Sequence, residues 1–340
     1  MKPEYILGAT VLAFVVFGGT WLLFSGKEQS KRGAAAEGIS YVEIANPAGF
    51  VNTDGITIGE LVGKKVILVE FLTYSCINCQ RTFPYVVSWY SKYKDEGLEI
   101  IGIHTPEFAF EKDLKNVREA MKKFGITYPI VLDNDYATWN AYGNKYWPRK
   151  YLVDIHGTIV YDHIGEGAYE ETEERIRELL RERARVLNEP IGTDTERSVE
   201  VVEEKKNGAQ SPETYFGSLR NSLLGNGTVG REGTQNFIVP TQQRENTLYL
   251  GGTWNVTPEY VKSVTNSHLV YTYRARYVYL VMRSTVPVPL EVWQDGVFVR
   301  TVTVQDSQLY TLIENSDTET HTLELRTTEG GLEVYAFTFG

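Results

Sequence analysis

Residues 66–94 constrain the fold most: an apolar run, a pair of cysteines and a helical repeat follow one another almost without a gap. Val66-Ile67-Leu68-Val69-Glu70-Phe71-Leu72-Thr73 is nearly continuous in branched and aromatic residues, the pattern of a strand covered on both faces. From residue 80 to 94, Phe83, Val86, Val87, Tyr90 and Tyr93 recur at helical spacing. Between the two lies Cys76-Ile77-Asn78-Cys79, and the chain has only 2 cysteines in 340 residues. A buried strand running into a helix implies an α/β sheet. It also sets Cys76 at a helix N-terminus, where unpaired N–H groups and the helix dipole favour a thiolate, while Cys79 falls within the first, less exposed turn.

Two thiols three residues apart form a dithiol. Cys76 can attack a disulfide in another molecule, and Cys79 can resolve the mixed disulfide that results. A four-thiolate zinc site is excluded, and a mixed site would need histidines from afar, so no metal is expected. A structural staple is disfavoured because closing so short a loop removes little chain entropy. The redox-active pair itself is the expected reactive group, with no separate cofactor. Glu70, six residues before Cys76, interrupts the apolar run. Two readings stand: a desolvated carboxyl with a raised pKa that exchanges protons near Cys79, or an edge-strand acid facing water.

The length allows two ordinary domains, and 42% hydrophobic residues supply sizeable cores. A net charge of −10 argues against nucleic acid, which needs clustered Lys and Arg. Residues 5–24 form one uncharged apolar run with Tyr5 and Trp21 near its ends; as a helix it would span about 30 Å, the hydrocarbon thickness of a bilayer. The run is long for a signal-peptide core, and Ala34-Ala35-Ala36 lies too far beyond it to serve as a cleavage site. Residues 1–26 therefore read as an uncleaved signal anchor and 27–39 as a tether.

Beyond the dithiol helix the sequence predicts strands at 98–104 and 129–132, helices at 110–124 and 136–142, a hairpin of 151–155 with 158–162, and a helix over 170–187. An entry segment at 41–63 precedes them. Alternating strands and helices give a central mixed sheet with helices on both faces over residues 40–188. Residues 189–211 read as a polar linker. From 212 to 340 the period changes to two: strands are expected at 268–275, 277–282, 290–293, 297–304, 309–313, 322–326 and 332–339, with Asp295-Gly296 as a hairpin turn. That pattern predicts an all-β sandwich of jelly-roll type. Its rings Trp254, Trp293, Tyr249, Tyr271 and Tyr310 either fill its core, the reading favoured for most of them, or include a sugar-stacking platform.

The residues around the dithiol carry a resemblance. Phe71-Leu72-Thr73-Tyr74-Ser75-Cys76-Ile77-Asn78-Cys79-Gln80-Arg81, then Gly102-Ile103-His104-Thr105-Pro106-Glu107-Phe108-Ala109-Phe110-Glu111, Leu132-Asp133-Asn134-Asp135-Tyr136-Ala137-Thr138-Trp139, Tyr146-Trp147-Pro148 and Gly165-Glu166-Gly167 resemble the thioredoxin-like C-terminal part of DipZ proteins, relatives of the TlpA-like extracytoplasmic thioredoxins. Ser211-Pro212-Glu213-Thr214-Tyr215-Phe216-Gly217 and Glu333-Val334-Tyr335-Ala336-Phe337-Thr338-Phe339-Gly340 resemble the start and end of the second domain of those proteins, which is similar to carbohydrate-binding modules. The resemblance runs from about residue 40 onward. The front departs from it: DipZ carries a multi-span electron-transfer domain, and here there is room for a single span.

What the resemblance implies is specific. Pro148 would be a cis-proline facing the dithiol and, with Trp147, would hold substrate backbone. Glu107 would lie near the active site as a substrate or proton contact. His104 reads equally as a tuning group or a structural histidine. The basic residues Lys27, Lys31 and Arg32 favour keeping the C-terminal side of the span inside, whereas the resemblance places the bulk outside the cytoplasm; the resemblance is given the greater weight. The expectation is a single-pass, membrane-anchored reductase of disulfide-bearing envelope proteins, recharged by a CcdA-type membrane donor, with a glycan as the prospective ligand of the β-domain. Two alternatives stand beside it. A thiol peroxidase would use Thr73-Tyr74-Ser75-Cys76, but Val69 occupies the place where that loop needs proline. An envelope binding protein would have the β-domain as its working part.

Overall fold

A computed structural model describes residues 39–190, Ser198 and 211–340. The expected membrane anchor, the tether up to residue 38 and most of the expected linker lie outside the described residues. Among the described residues no helix is long and apolar enough to cross a membrane.

The first part of the chain runs β1 (Ile39–Ser40), β2 (Gly49–Val51), β3 (Val66–Leu72), α1 (Ile77–Tyr93), β4 (Leu98–His104), α2 (Leu114–Lys123), β5 (Ile130–Leu132), α3 (Ala137–Ala141), β6 (Arg149–Val153), β7 (Thr158–Ile164) and α4 (Tyr169–Leu187). The strands form one 7-stranded sheet in the order β1-β7-β6-β3-β4-β5-β2. β3, β4 and β5 are parallel, whereas β6 runs antiparallel to β3, and β7 antiparallel to β6. The mixed sheet is what the alternation of strands and helices predicts.

β3 is central, and all its residues are buried. Strand side chains alternate between faces. Val66, Leu68 and Leu72 enter a core with Phe83, Val86 and Trp89 of α1, Val117 and Met121 of α2, and Ile176 and Leu180 of α4. Ile67, Val69 and Phe71 enter the opposite core, against Trp139 of α3 and Ile58. Glu70 shares the parity of Leu68 and Leu72, so it points to the α1 face, the side of Cys79.

A short strand, Ile39–Ser40, pairs with the β7 edge ahead of the entry segment. One expected element differs. The single helix expected over 110–124 is two pieces, a 3-10 turn at Ala109–Lys112 and then α2. Asp113 breaks it: its backbone is extended and its carboxylate accepts from the Lys115 N–H at 2.8 Å, an N-cap that restarts the helix.

The second part is all β among its described residues: β8 (Thr214–Tyr215), β9 (Gly233–Phe237), β10 (Leu248–Val256), β11 (Val261–Arg283), β12 (Val288–Gln294), β13 (Val297–Val304), β14 (Gln308–Thr327) and β15 (Glu333–Phe339). They hydrogen-bond into one 8-stranded sheet wrapped about a core that includes Tyr271, Tyr273, Leu280, Met282, Leu323 and Phe337. The strands expected at 268–275 and 277–282 are parts of one 23-residue strand, and those at 309–313 and 322–326 parts of one 20-residue strand. The polar run Asn315-Ser316-Asp317, which reads as a turn, is absorbed in a bulge where the register jumps from Ala275↔Glu319 to Tyr277↔Glu314.

The two parts share apolar surface. Tyr279, Val281, Leu309, Tyr335 and Ala336 of the β-domain belong to the same buried cluster as the α1 face of the first sheet. Gly38–Gly340 is accordingly one compact unit.

Candidate active site

The setting of each cysteine follows from the turn between β3 and α1. Thr73-Tyr74-Ser75 carry the chain off the strand, and Cys76 is the N-cap residue of α1, with φ −77° and ψ 122°. It is half-buried, and no side chain caps the helix. The first helical N–H groups and the positive end of the dipole are thus left to the Cys76 sulfur. Cys79 is fully buried one turn on; burial pushes its thiol well up, reinforced by the hydrogen bond and charge of Cys76 and by the Glu70 carboxylate. Both cysteines are free thiols. The arrangement pairs one accessible sulfur with one that retains its proton.

Glu70 is 0% exposed. Of its two readings, the fold contains the buried acid on a central strand. Burial raises the carboxyl from an ordinary 4.5 to about 7, against the pull of Lys150 and of the Tyr128 hydroxyl, which donates to Oε2 at 3.2 Å. Lys150 stands opposite Glu70 in the β3–β6 register, is itself buried, and donates to the Gly165 carbonyl at 3.3 Å. Burial lowers its ammonium, and Glu70 partly restores it. Neither Lys150 nor Tyr128 was named by the sequence reading, although the parity of β6 puts Lys150 opposite Glu70 once the hairpin register is known.

The Trp147–Pro148 bond is cis. β6 begins beside the end of β3, Phe71 facing Arg149, so Pro148 sits where the cysteine loop leaves the sheet. The Trp147 indole N–H donates to the Thr105 carbonyl at 3.1 Å, and its ring packs on Trp139 with centroids 4.3 Å apart.

His104 is buried and stacked on Tyr74 at 5.7 Å, and burial drives its pKa down to about 3, so the ring stays neutral. Both of its ring nitrogens are buried without a hydrogen-bond partner among the described residues. Glu107 lies at the joint with the β-domain: its Oε1 accepts from the Tyr215 hydroxyl at 2.8 Å and from Arg220 at 2.7 Å. The acid of this stretch that reaches the cysteine loop is Glu111, which accepts from the Ser75 hydroxyl at 2.6 Å and the Ser75 N–H at 3.3 Å. No periodicity marks Glu111, because it sits in the 3-10 turn. Among the described residues no cluster of three or more His, Cys, Asp or Glu side chains could hold a metal.

In the β-domain, Trp254, Tyr249 and Tyr271 are core rings. Trp293 and Tyr310 are half-buried, and the face of Trp293 is covered by the Arg326 guanidinium at 4.3 Å.

Comparison with known proteins places this geometry. A family model described as Redoxin matches residues 51–180, and one described as Thioredoxin like C-terminal domain matches 211–340. Protein DipZ of Mycobacterium bovis is 38% identical over 296 residues, covering 86% of this chain and 41% of that protein. This chain thus spans about two-fifths of its DipZ relatives. Thiol-disulfide oxidoreductase ResA of Halalkalibacterium halodurans is 35% identical over 131 residues, 38% of this chain and 70% of ResA. A thioredoxin-like protein solved in solution in its oxidized form matches with a TM-score of 0.40 and 28% identity, over 43% of this chain and 97% of that one. With a redoxin domain around Cys76 and Cys79, and that extent of ResA and DipZ sequence in common, the chain belongs to the thioredoxin-like thiol-disulfide oxidoreductase family.

Proposed function

We propose that the chain is a membrane-anchored, extracytoplasmic reductase of protein disulfides. The observation that carries the reading is the pairing of a half-exposed cysteine at a helix N-terminus with a buried one that faces a carboxyl poised near neutrality. Cys76 as thiolate attacks one sulfur of the partner's disulfide; a Cys76–partner bond forms and the partner's other sulfur leaves as thiolate. Cys79 then gives its proton toward Glu70 and attacks the Cys76 sulfur, releasing the partner's second thiolate. The partner gains two electrons, the pair becomes a disulfide, and Glu70 returns the proton. Pro148 and Trp147, beside the loop, would hold the partner's backbone.

Residues 1–26 would anchor the chain, with disulfide-bearing envelope proteins as substrates and a CcdA-type membrane protein returning electrons. The long bent strands of the second domain fit a sandwich of jelly-roll type. The test is the reduction potential of the Cys76/Cys79 couple, equilibrated with glutathione. A value near the roughly −270 mV of thioredoxin supports a reductant, and one near the roughly −120 mV of strong oxidants reverses the direction. A reporter fused after Phe24 reads the orientation.

A further inference from the structure

We infer that the β-domain positions the attacking thiol, acting through residues 107–111, with Glu111 as the positioning residue. This rests on the oxidoreductase reading above and gives the second domain a part in it.

Four consecutive residues of the first domain are held by the second. The Glu107 carboxylate takes Tyr215 and Arg220. Phe108 and Phe110 both meet the Tyr335 ring edge-on, at 5.1 and 4.9 Å between centroids. The Ala109 N–H donates to Glu259 at 2.9 Å. The fifth residue, Glu111, turns the other way. Its Oε2 accepts from the N–H groups of Glu107 and Phe108 at 2.6 and 3.0 Å, and its Oε1 accepts from the hydroxyl and N–H of Ser75. One buried carboxylate therefore ties the turn gripped by the β-domain to the residue immediately before Cys76.

The chemistry of that tie bears on the thiol. Cys76 is the N-cap of α1, where the helix dipole favours a thiolate, and the Ser75–Cys76 backbone sets where its sulfur lies. Two hydrogen bonds from Ser75 and two from the Glu107–Phe108 backbone converge on this carboxyl; burial raises it and those bonds oppose the rise, so Ser75 is held on one side and the turn on the other. Gln at position 111 has the same shape but a single acceptor oxygen. Its amide would confront either Ser75 or the Glu107 and Phe108 N–H groups with a second donor, so one side of the tie is lost.

The experiment measures alkylation of Cys76 by iodoacetamide against pH in the full chain, in a Cys79→Ser background, for Glu111→Gln, Arg220→Gln and the double variant. Reduction of hydroxyethyl disulfide by the parent dithiol runs alongside. Glu111→Gln removes a negative charge near Cys76, which alone would lower the midpoint of the Cys76 profile; loss of the Ser75 tie is expected to outweigh it, raising the midpoint and slowing alkylation at pH 7 by about ten-fold, and a lowered midpoint overturns the inference. Arg220→Gln, in the other domain, is expected to move the profile the same way by about three-fold, Arg220→Lys to restore most of it, and the double variant to fall no further than Glu111→Gln alone. If Arg220→Gln lowers the melting temperature and leaves the Cys76 profile where it was, the joint is merely structural and the inference fails; additive losses in the double variant overturn it equally. Should Glu111→Gln not fold, the Arg220 pair decides alone. A parent dithiol inert toward hydroxyethyl disulfide would instead strike the oxidoreductase reading.

Discussion

Replacing Glu70 by Gln should make the protein more stable at neutral pH while impairing its redox chemistry. The magnitude follows from the carboxyl's displacement from 4.5 to about 7 by burial. The native state holds this proton more tightly than the unfolded chain, so between those values native molecules bind more protons. Stability therefore falls as pH rises through the window. Below pH 4.5 both states are protonated and the group costs nothing. The penalty is about 0.8 kcal/mol at pH 5 and about 3 kcal/mol at pH 7, and it levels off at about 3.4 kcal/mol above pH 8. Gln keeps the shape and the acceptor for Tyr128 and carries no such penalty. Lys150 loses its opposing charge in the variant and becomes easier to leave neutral, which trims the gain at the alkaline end. The assay is urea unfolding of the reduced protein at pH 5, 6, 7 and 8. The stability difference between variant and parent should widen by about 2 kcal/mol from pH 5 to pH 8. A constant difference, or one that narrows, would refute the picture of a buried, displaced carboxyl. The same variant tests the proposed proton route: if Glu70 takes the Cys79 proton, resolution of the Cys76 mixed disulfide should slow.

Three further outcomes follow from other residues. Lys150→Met removes the cation that opposes desolvation of Glu70, so the fall in stability, which still begins near pH 4.5, should continue to a higher pH and level off at a larger loss than in the parent, read from the same unfolding series. His104→Phe keeps the ring stacked on Tyr74; because burial lowers the native imidazole to about 3, the parent loses stability as pH falls below 6.5, and the variant should be spared about 2 to 3 kcal/mol of that loss at pH 4.5 in acid unfolding. Gly252 has φ +77°, and a Cβ there would lie 2.3 Å from the Asn266 carbonyl oxygen at a register shift between β10 and β11; Gly252→Ala should cost at least about 1 kcal/mol, seen as a lower melting temperature.

How much of the site was legible depended on whether it rested on local pattern or on register. Cys76 at the head of α1, and the mixed sheet behind it, follow from apolar periodicity within a few turns of chain. Pro148 needed the resemblance, since nothing local distinguishes it from a proline ending a loop. Lys150 was hidden because a lysine in a short strand reads as solvent-facing until the β3–β6 register sets it opposite Glu70. The break at Asp113 was missed because Phe110, in the 3-10 turn, stands at helical spacing from Leu114, Val117 and Met121 of α2, so the apolar pattern runs straight through the cap. In β14 the join was missed because Asn315-Ser316-Asp317 has turn chemistry, and in β11 because the alternation breaks at Arg276; both sit at one bulge, which only the pairing of the two strands reveals.

The joint between the domains was invisible for a related reason, and it matters most for function. Phe108, Phe110 and Tyr335 are ordinary apolar residues of a turn and a strand, and nothing in the sequence pairs them across domains. The structure instead spends them on one another, and tethers Glu107 to Arg220 beside them. A domain appended only for binding could swing on its linker, and two aromatic contacts with a half-buried ion pair would then serve little purpose. Placed on a turn whose next residue holds Ser75, they fix the surroundings of the attacking sulfur from outside the redoxin fold. This accounts for the β-domain gripping residues 107–110, one turn of chain from the tie to Ser75.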